Sequence, residues 1–333
     1  MNVAEAMTTG PRWLTASGIR SIFRDRPMVP LLGLLAILVV VSEVIRPGPI
    51  SLNWAGVMIR AAVPLAILAG CQTLTMLTAG IDLSVGAVAS MSGFLVATLV
   101  GDLGLPMAIV IALVVSAVVG FVNGVGAGVF RVHPLIMTLG MSLVVLGLAN
   151  VWQLLRVQTG SGVPIEFRQL GANIEFGFLP VSLLLFVPLA LIIMYILNRT
   201  GFGRLLYAIG DNEVASRLSA AKSWQVLTVL YVISAVLAGI AGFLFSGLTN
   251  VASVTLANSA LLPSVAAAVI GGTSIFGGRG NYSGTMIGAL ILTVISSILS
   301  SLGYPEAVRQ ILFGSLIVFV AAAYTRITGE AGT

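Results

Sequence analysis

Long apolar runs alternate with short polar breaks along nearly the whole chain. Stretches of about 20 apolar residues, enough for an α-helix to cross a hydrocarbon core, fall at 28–45, 57–78, 83–101, 105–124, 134–152, 179–197, 225–248, 261–278, 283–302 and 307–324. The pattern predicts an all-α, polytopic membrane protein of about ten transmembrane helices. A single transmembrane domain covers 28–326, between an N-terminal tail of 1–27 and a C-terminal tail of 327–333. The third and eighth segments are rich in Gly, Ser and Ala, a composition that admits broken or half-length helices.

One polar break is much longer than its neighbours. Residues 198–224 carry Arg199, Arg204, Arg217 and Lys222, the last being the only lysine. Gly201 and Gly203 are predicted to break the sixth helix. Asp211 or Asn212 can cap a short helix over 213–221, with Glu213 in a first turn where a carboxylate is favoured by the helix dipole. Ala215, Leu218 and Val214 give that helix a small apolar face suited to a groove on a partner. The bland alternative is a solvated linker.

Composition removes whole classes. Hydrophobic residues make up 58% of the chain and charged residues only 8%, against roughly a quarter charged in a soluble domain. The net charge of +5 is not a nucleic-acid signal, because the basic residues are scattered between the apolar runs. They set orientation instead. With both termini cytoplasmic, inside segments hold Arg12, Arg20, Arg24, Arg26, Arg131, Arg199, Arg204, Arg217, Lys222, Arg279 and Arg326, which is 11 of 16. Arg46, Arg60, Arg156, Arg168 and Arg309 lie toward the outer face, a bias in the sense of the positive-inside rule. The first apolar run reads as a signal-anchor helix. Ahead of it, Trp13, Leu14, Ile19, Ile22 and Phe23 form either a short interfacial helix or a frayed tail. A single cysteine, Cys71, and a single histidine, His133, exclude an intrachain disulfide and a cysteine- or histidine-rich metal cluster.

Two stretches carry unusual chemistry. In Thr78-Ala79-Gly80-Ile81-Asp82-Leu83-Ser84, almost no loop separates two apolar segments, and Asp82 is the only acid between Glu43 and Asp102. A charge at that depth costs roughly 2.5–3.5 kcal/mol on insertion scales. Asp82 either caps the next helix through the N–H of residue 84 or 85, or meets a translocated molecule. Residues 266–288 hold seven glycines, which permit close helix packing, with Gly284 and Gly288 as a packing pair. No Gly-Lys-Ser/Thr follows them, so the phosphate-binding loop of an ATPase is absent from the chain. Nor do the spans hold paired carboxylates or a Ser/His/Asp arrangement. The membrane-embedded polar residues Gln72, Thr75, Asp82, Ser84, Asn123, Asn150, Thr273 and Ser274 are the candidates for a translocation path.

Four stretches together resemble a known family. They are TAGIDLSVGAVASMSG (78–93), VHPLIMTLGMSLVVLGLA (132–149), GRLLYAIGDNEVASRLSA (203–220) and AAAVIGGTSIFGGRGNYSGTMIGA (266–289). In this order they are similar to the permease subunits of ribose-type simple-sugar ABC importers, a family that includes galactose, xylose and autoinducer-2 permeases. The resemblance implies a multi-pass protein of the bacterial inner membrane that is not itself an enzyme and needs no cofactor. It implies three partners: an ABC ATPase subunit (its two nucleotide-binding domains often fused), a second permease subunit that is the same chain or a paralogue, and an extracytoplasmic sugar-binding protein. Within 203–220 it marks Gly203, Arg204, Ala208, Gly210, Asn212, Glu213, Ala215, Arg217 and Leu218 as the ATPase-coupling loop. Ala220-Ala221-Lys222 departs from the family pattern. The residues alone leave a second class open, a stand-alone ion-coupled secondary transporter of a small polar solute.

Overall fold

The computed structural model describes residues 28–45, 51–156, 162–176 and 178–328. The tail 1–27 with its expected interfacial segment, Arg46, and residues 329–333 lie outside the described residues. Thirteen α-helices follow in order: α1 (Met28–Ile45), α2 (Leu52–Met76), α3 (Val85–Leu103), α4 (Leu105–Gly128), α5 (Pro134–Arg156), α6 (Ile165–Ala172), α7 (Leu183–Arg199), α8 (Gly201–Asp211), α9 (Glu213–Leu218), α10 (Ser223–Thr249), α11 (Leu261–Ile270), α12 (Tyr282–Ser301) and α13 (Glu306–Thr328). A two-stranded antiparallel ribbon, β1 (Ile174–Glu175) with β2 (Leu179–Pro180), pairs Ile174 with Pro180 and Glu175 with Leu179.

Every apolar segment expected from the sequence holds a helix. Among the described residues, seven (α1 to α5, α10 and α12) are long and apolar enough to cross a bilayer. The bent pair of α7 and α8 makes an eighth if taken as one span. The eighth expected segment is indeed half-length: α11 has ten residues, about 15 Å at 1.5 Å per residue. The third is not broken. Despite its small residues, α3 runs unbroken through 19, because burial on all sides replaces the packing that small side chains lack.

Local chemistry fixes the ends. Ser51 caps α2 by accepting from the Trp54 N–H at 3.1 Å. Gly104, at φ +74°, turns the chain between α3 and α4, and Pro106 opens α4. The break after α7 comes from a residue that the expectation passed over. Thr200 leaves helical geometry (φ −103°, ψ 161°), and its hydroxyl accepts from the Gly203 N–H at 3.2 Å. The two helices meet there at 67°. Gly201 and Gly203 sit inside α8, and Gly203 is buried against the Ile196 and Leu197 carbonyls. The short helix after it ends at Leu218, not at 221, because Ala220 turns left-handed at φ +63°.

The core is organised around α10, which packs on α2, α3, α4 and α6. On α4, Gly120, Gly124 and Gly128 form a small-residue seam, and a Cβ on each would meet the α10 backbone at Tyr231, Thr228 and Trp224. The expected Gly284–Gly288 pair lies against the carbonyls of Gly271 and Ala267. Outside the membrane-spanning bundle, α6 lies across the end of α10, with the Phe167 and Phe243 rings stacked 4.8 Å apart. The outermost helix is α1, whose Leu35 and Leu38 touch Met58, Val294 and Ile298.

The seam gives a direct test. Gly124→Val places its branched side chain on the Thr228 backbone, which cannot move aside, and overpacking of this kind costs about 1–3 kcal/mol. Its thermal midpoint in detergent is expected to fall by several degrees. Gly140→Ala on α5, where a Cβ meets nothing within 4 Å, is expected to leave it unchanged. Equal midpoints for the two variants would remove the seam from the packing account.

Candidate coupling face and buried polar hub

Between α2 and α3 the chain leaves the helix inside the bundle, and its backbone must be satisfied there. The N–H groups of Thr78, Ala79 and Gly80 fold back onto the carbonyls of Thr75 and Met76 at 2.9–3.1 Å. The next residues use side chains from other helices. Gln72 holds Asp82 at both backbone ends: its Nε2 donates to the Asp82 carbonyl at 2.8 Å, and its Oε1 accepts from the Asp82 N–H at 3.3 Å. Thr138 of α5 accepts from the Leu83 N–H at 3.0 Å and donates to the Ile81 carbonyl at 3.1 Å.

The Asp82 carboxyl is the centre of this hub. It accepts from the Ser84 N–H at 2.9 Å and the Ser84 hydroxyl at 2.6 Å. From α10, the Ser234 hydroxyl donates to it at 3.1 Å. From α4, Asn123 Nδ2 donates to the Ser84 hydroxyl oxygen at 2.9 Å. Five elements thus meet at one buried acid, which is 1% exposed and forms no ion pair among the described residues. Hydrogen bonds to a charged acceptor contribute about 1.5–3 kcal/mol each. Three such bonds recover part of what burial costs a carboxylate. The bond from the Ser84 N–H is the one the capping reading of Asp82 expects, although Ser84 itself stands at the N-cap of α3.

The other candidate path residues separate. Gln72, Ser84 and Asn123 belong to the hub, whereas Thr75 bonds only the Cys71 and Gln72 carbonyls of its own helix. Thr273 and Ser274 are buried in the glycine-rich turn after α11, where Ser274 Oγ accepts from the Phe276 N–H at 3.1 Å. Asn150 is apart from all of them, exposed on α5 and bonded to the Leu146 carbonyl. Ser234 and Thr138 complete the hub without having been singled out as site residues. A lone serine in the apolar run of α10 has no neighbour in sequence that marks it.

A few residues before Asp82, the same break meets the glycine-rich turn and the end of α8. The Gly278 N–H donates to the Leu77 carbonyl at 3.0 Å. Gly210 lies against that carbonyl and the Gly278 nitrogen so closely that a Cβ would overlap both. Gly277, at φ +90°, faces the Gly210 carbonyl and the Ala79 nitrogen. Tyr207 adds a hydroxyl bond to the Gly280 carbonyl at 2.9 Å.

Beyond this junction, Asn212 caps α9 by accepting from the Ala215 N–H at 2.9 Å. Of the nine coupling candidates, Gly203 and Gly210 face inward, while Arg204, Ala208, Asn212, Glu213, Ala215, Arg217 and Leu218 are exposed. Val214 and Leu218 are 61% and 86% exposed, so α9 presents an apolar face that nothing among the described residues covers. Glu213 and Arg217 pair along it at 3.7 Å. Beside it opens a cleft of about 750 Å³ between Leu205, Ala208, Asn212, Ala215, Lys222 and Gln225.

Comparison with known proteins places this arrangement. Residues 55–321 match the family described as branched-chain amino acid transport system / permease component. The chain belongs to that permease family. It is 34% identical to the ribose import permease of Bacillus subtilis over 299 residues, covering 89% of this chain and 92% of that one. It is 32% identical to the fructose import permease of Rhizobium meliloti over 301 residues, covering 88% and 84%. The autoinducer 2 import system permease of Escherichia coli O9:H4 is 30% identical over 295 residues, covering 86% and 84%. No solved structure matches the chain. A permease of this family with at least seven membrane-capable helices is a multi-pass protein of the bacterial inner membrane.

The hub makes a stability prediction. Asp82→Ala leaves three donors unsatisfied at about 1–3 kcal/mol each, so the yield of folded protein and its thermal midpoint are expected to fall sharply. Asp82→Asn retains an acceptor and should fall less. An Asp82→Ala protein as stable as the wild type would show that the break is held by other means.

Proposed function

We propose that this chain is the permease subunit of an ATP-driven importer, carrying a simple sugar through the membrane. Ten crossings put both termini and residues 198–224 in the cytoplasm. A separate ATPase, its two domains fused or not, docks on α9. A second permease, a further copy or a paralogue, completes the path, and an extracytoplasmic binding protein delivers the sugar.

The observation that carries this reading is the rigid seating of α9. A capped helix with an exposed apolar face is joined, through backbone-to-backbone packing at Gly210, to the break in the membrane helices. A solvated linker has no need of such a seat. Attachment at the hub also weighs against the ion-coupled alternative. Asp82, the one fully buried acid among the described residues, already has its carboxyl engaged by three donors of the protein itself.

The family description mentions branched-chain amino acids, whereas the similar proteins cited are named for ribose, fructose and autoinducer 2. Charge favours the neutral solute. A zwitterion entering a low-dielectric path needs countercharges or helix ends, and from residue 223 to 278 the chain has no charged side chain at all. A sugar needs only hydrogen bonds.

Two experiments test these statements. In the first, cysteines at Asn212 and Glu175, both exposed, are introduced with Cys71→Ser. The cysteine at 212 is expected to react with an impermeant thiol reagent only in inverted vesicles, and the one at 175 only in right-side-out vesicles. Reaction of both from one side would refute the crossing count between them.

The second uses the assembled transporter with its ATPase and binding protein. Glu213→Arg or Arg217→Glu is expected to lower ATP-driven uptake of labelled sugar at least about ten-fold, since an unpaired desolvated charge at an interface costs several kcal/mol. The double exchange restores the pair within α9 but should not restore uptake if a partner surface reads each position. Normal uptake by both single variants would remove α9 from coupling. Import of a branched-chain amino acid, with no sugar carried, would defeat the substrate assignment.

A further inference from the structure

The segment that joins α10 to α11 does not stay at the membrane surface. The levels can be read from contacts along α3. Gly242 of α10 lies against Ala89, and Gly93 against Gly242 and Ser246, so α10 and α3 run in parallel and Thr249 ends α10 near the level of residue 96. From there the chain returns. The Ala257 N–H donates to the Ser90 hydroxyl at 2.9 Å, and Ala257, Asn258 and Leu261 surround Gly86, one residue from the start of α3. At 1.5 Å per residue this is a descent of roughly 15 Å alongside a membrane helix.

The descending segment is not helical until a 3-10 turn at Asn258–Ala260. One flank, Val254, Ala257 and Ala260, is buried in the bundle. The other flank, Thr255, Asn258 and Ser259, is exposed, and none of these three side chains makes a hydrogen bond among the described residues. Irregular backbone at membrane depth is tolerated only where it is covered by protein or lines a water-filled cavity, never against lipid. Three unpaired polar side chains on that flank favour water. Their chemistry is two hydroxyls and an amide, with no charge, able to donate and accept in turn as a hydroxyl-rich neutral molecule passes.

We infer that Thr255, Asn258 and Ser259 line the solute path and make its hydrogen bonds to a neutral, polyhydroxylated solute. This rests on the importer reading above for the identity of the solute, but not for the presence of water along the segment. It also locates the path away from the Asp82 carboxyl, whose oxygens are engaged in holding the break.

The test uses the assembled transporter carrying Cys71→Ser, with single cysteines at Asn258, Ser259 and, as a lipid-facing control, Ile37. Ile37 is 61% exposed near the middle of α1. A water-soluble maleimide applied to both faces is expected to label positions 258 and 259 at least about ten-fold faster than 37, since thiols in hydrocarbon do not meet a hydrated reagent. Labelling should slow when ribose or fructose is being imported. Asn258→Ala should lower sugar uptake by a few-fold while leaving insertion and the basal ATPase rate unchanged.

Labelling at 258 and 259 no faster than at 37 would overturn the inference. Full labelling with no protection by either sugar, together with normal uptake by Asn258→Ala, would overturn it as well. If the wild-type assembly carries no sugar, the importer reading for sugars falls. The labelling contrast still decides whether the segment is hydrated.

Discussion

A chain that leaves helical geometry inside a bilayer has to supply partners for its own amide and carbonyl groups, because lipid offers none. In this permease that requirement falls on the residues between α2 and α3, and it is met by importing side chains from α2, α4, α5 and α10. The break is therefore also the point at which the bundle is tied together. Gln72 and Thr138 act on backbone groups, Ser234 and Asn123 act on the cap formed by Asp82 and Ser84, and no single helix can be withdrawn without leaving a buried polar group alone. The irregularity of the backbone and the cohesion of the bundle have one cause.

The same break has a second contact, on its other end. Leu77 receives the Gly278 N–H and the backbone of Gly210, and Ala79 lies against Gly277, so the glycine-rich turn after α11 and the end of α8 converge on the residues that lead into the hub. The four motifs that looked separate in the sequence become a continuous structure: α8 with α9, the junction, the break and the α5 segment that carries Thr138. A short uninterrupted physical route runs from α9 to the break between α2 and α3.

Much of this was legible in advance. Apolar run length placed the helices, the Asn212 cap was marked by an Asn followed by an acid, and Asp82 could be read as a cap because its neighbours Gly80 and Ser84 suit a tight turn. What was not legible depended on distance in sequence. Nothing near Ser234 announces a partner 152 positions earlier, nor anything near Thr138 its partners 55 and 57 positions earlier. The break at Thr200 was obscured by two nearby glycines, Gly201 and Gly203, and the low helix propensity of the second was outweighed by close packing on the α7 carbonyls. Asn150 shares its residue type with Asn123 but not its surroundings: one lies on the inner face of its helix, the other on the outer. The descent of the segment after α10 escaped notice because an outer loop and a re-entrant one have the same polar, uncharged composition.

The junction at Gly210 has a mechanical consequence. Most contacts between helices pass through side chains, which can change rotamer and absorb a shift of an ångström or so without disturbing the main chain. Between α8, the turn after α11 and the end of α2, the opposing surfaces are peptide groups, and peptide planes have no such slack. A displacement of α8 toward Leu77 must either move the break as a whole or be resisted by it. The absence of side chains between Gly210 and Leu77 makes α8 and the break a stiff pair, flanked by the bends at Thr200 and Ala220.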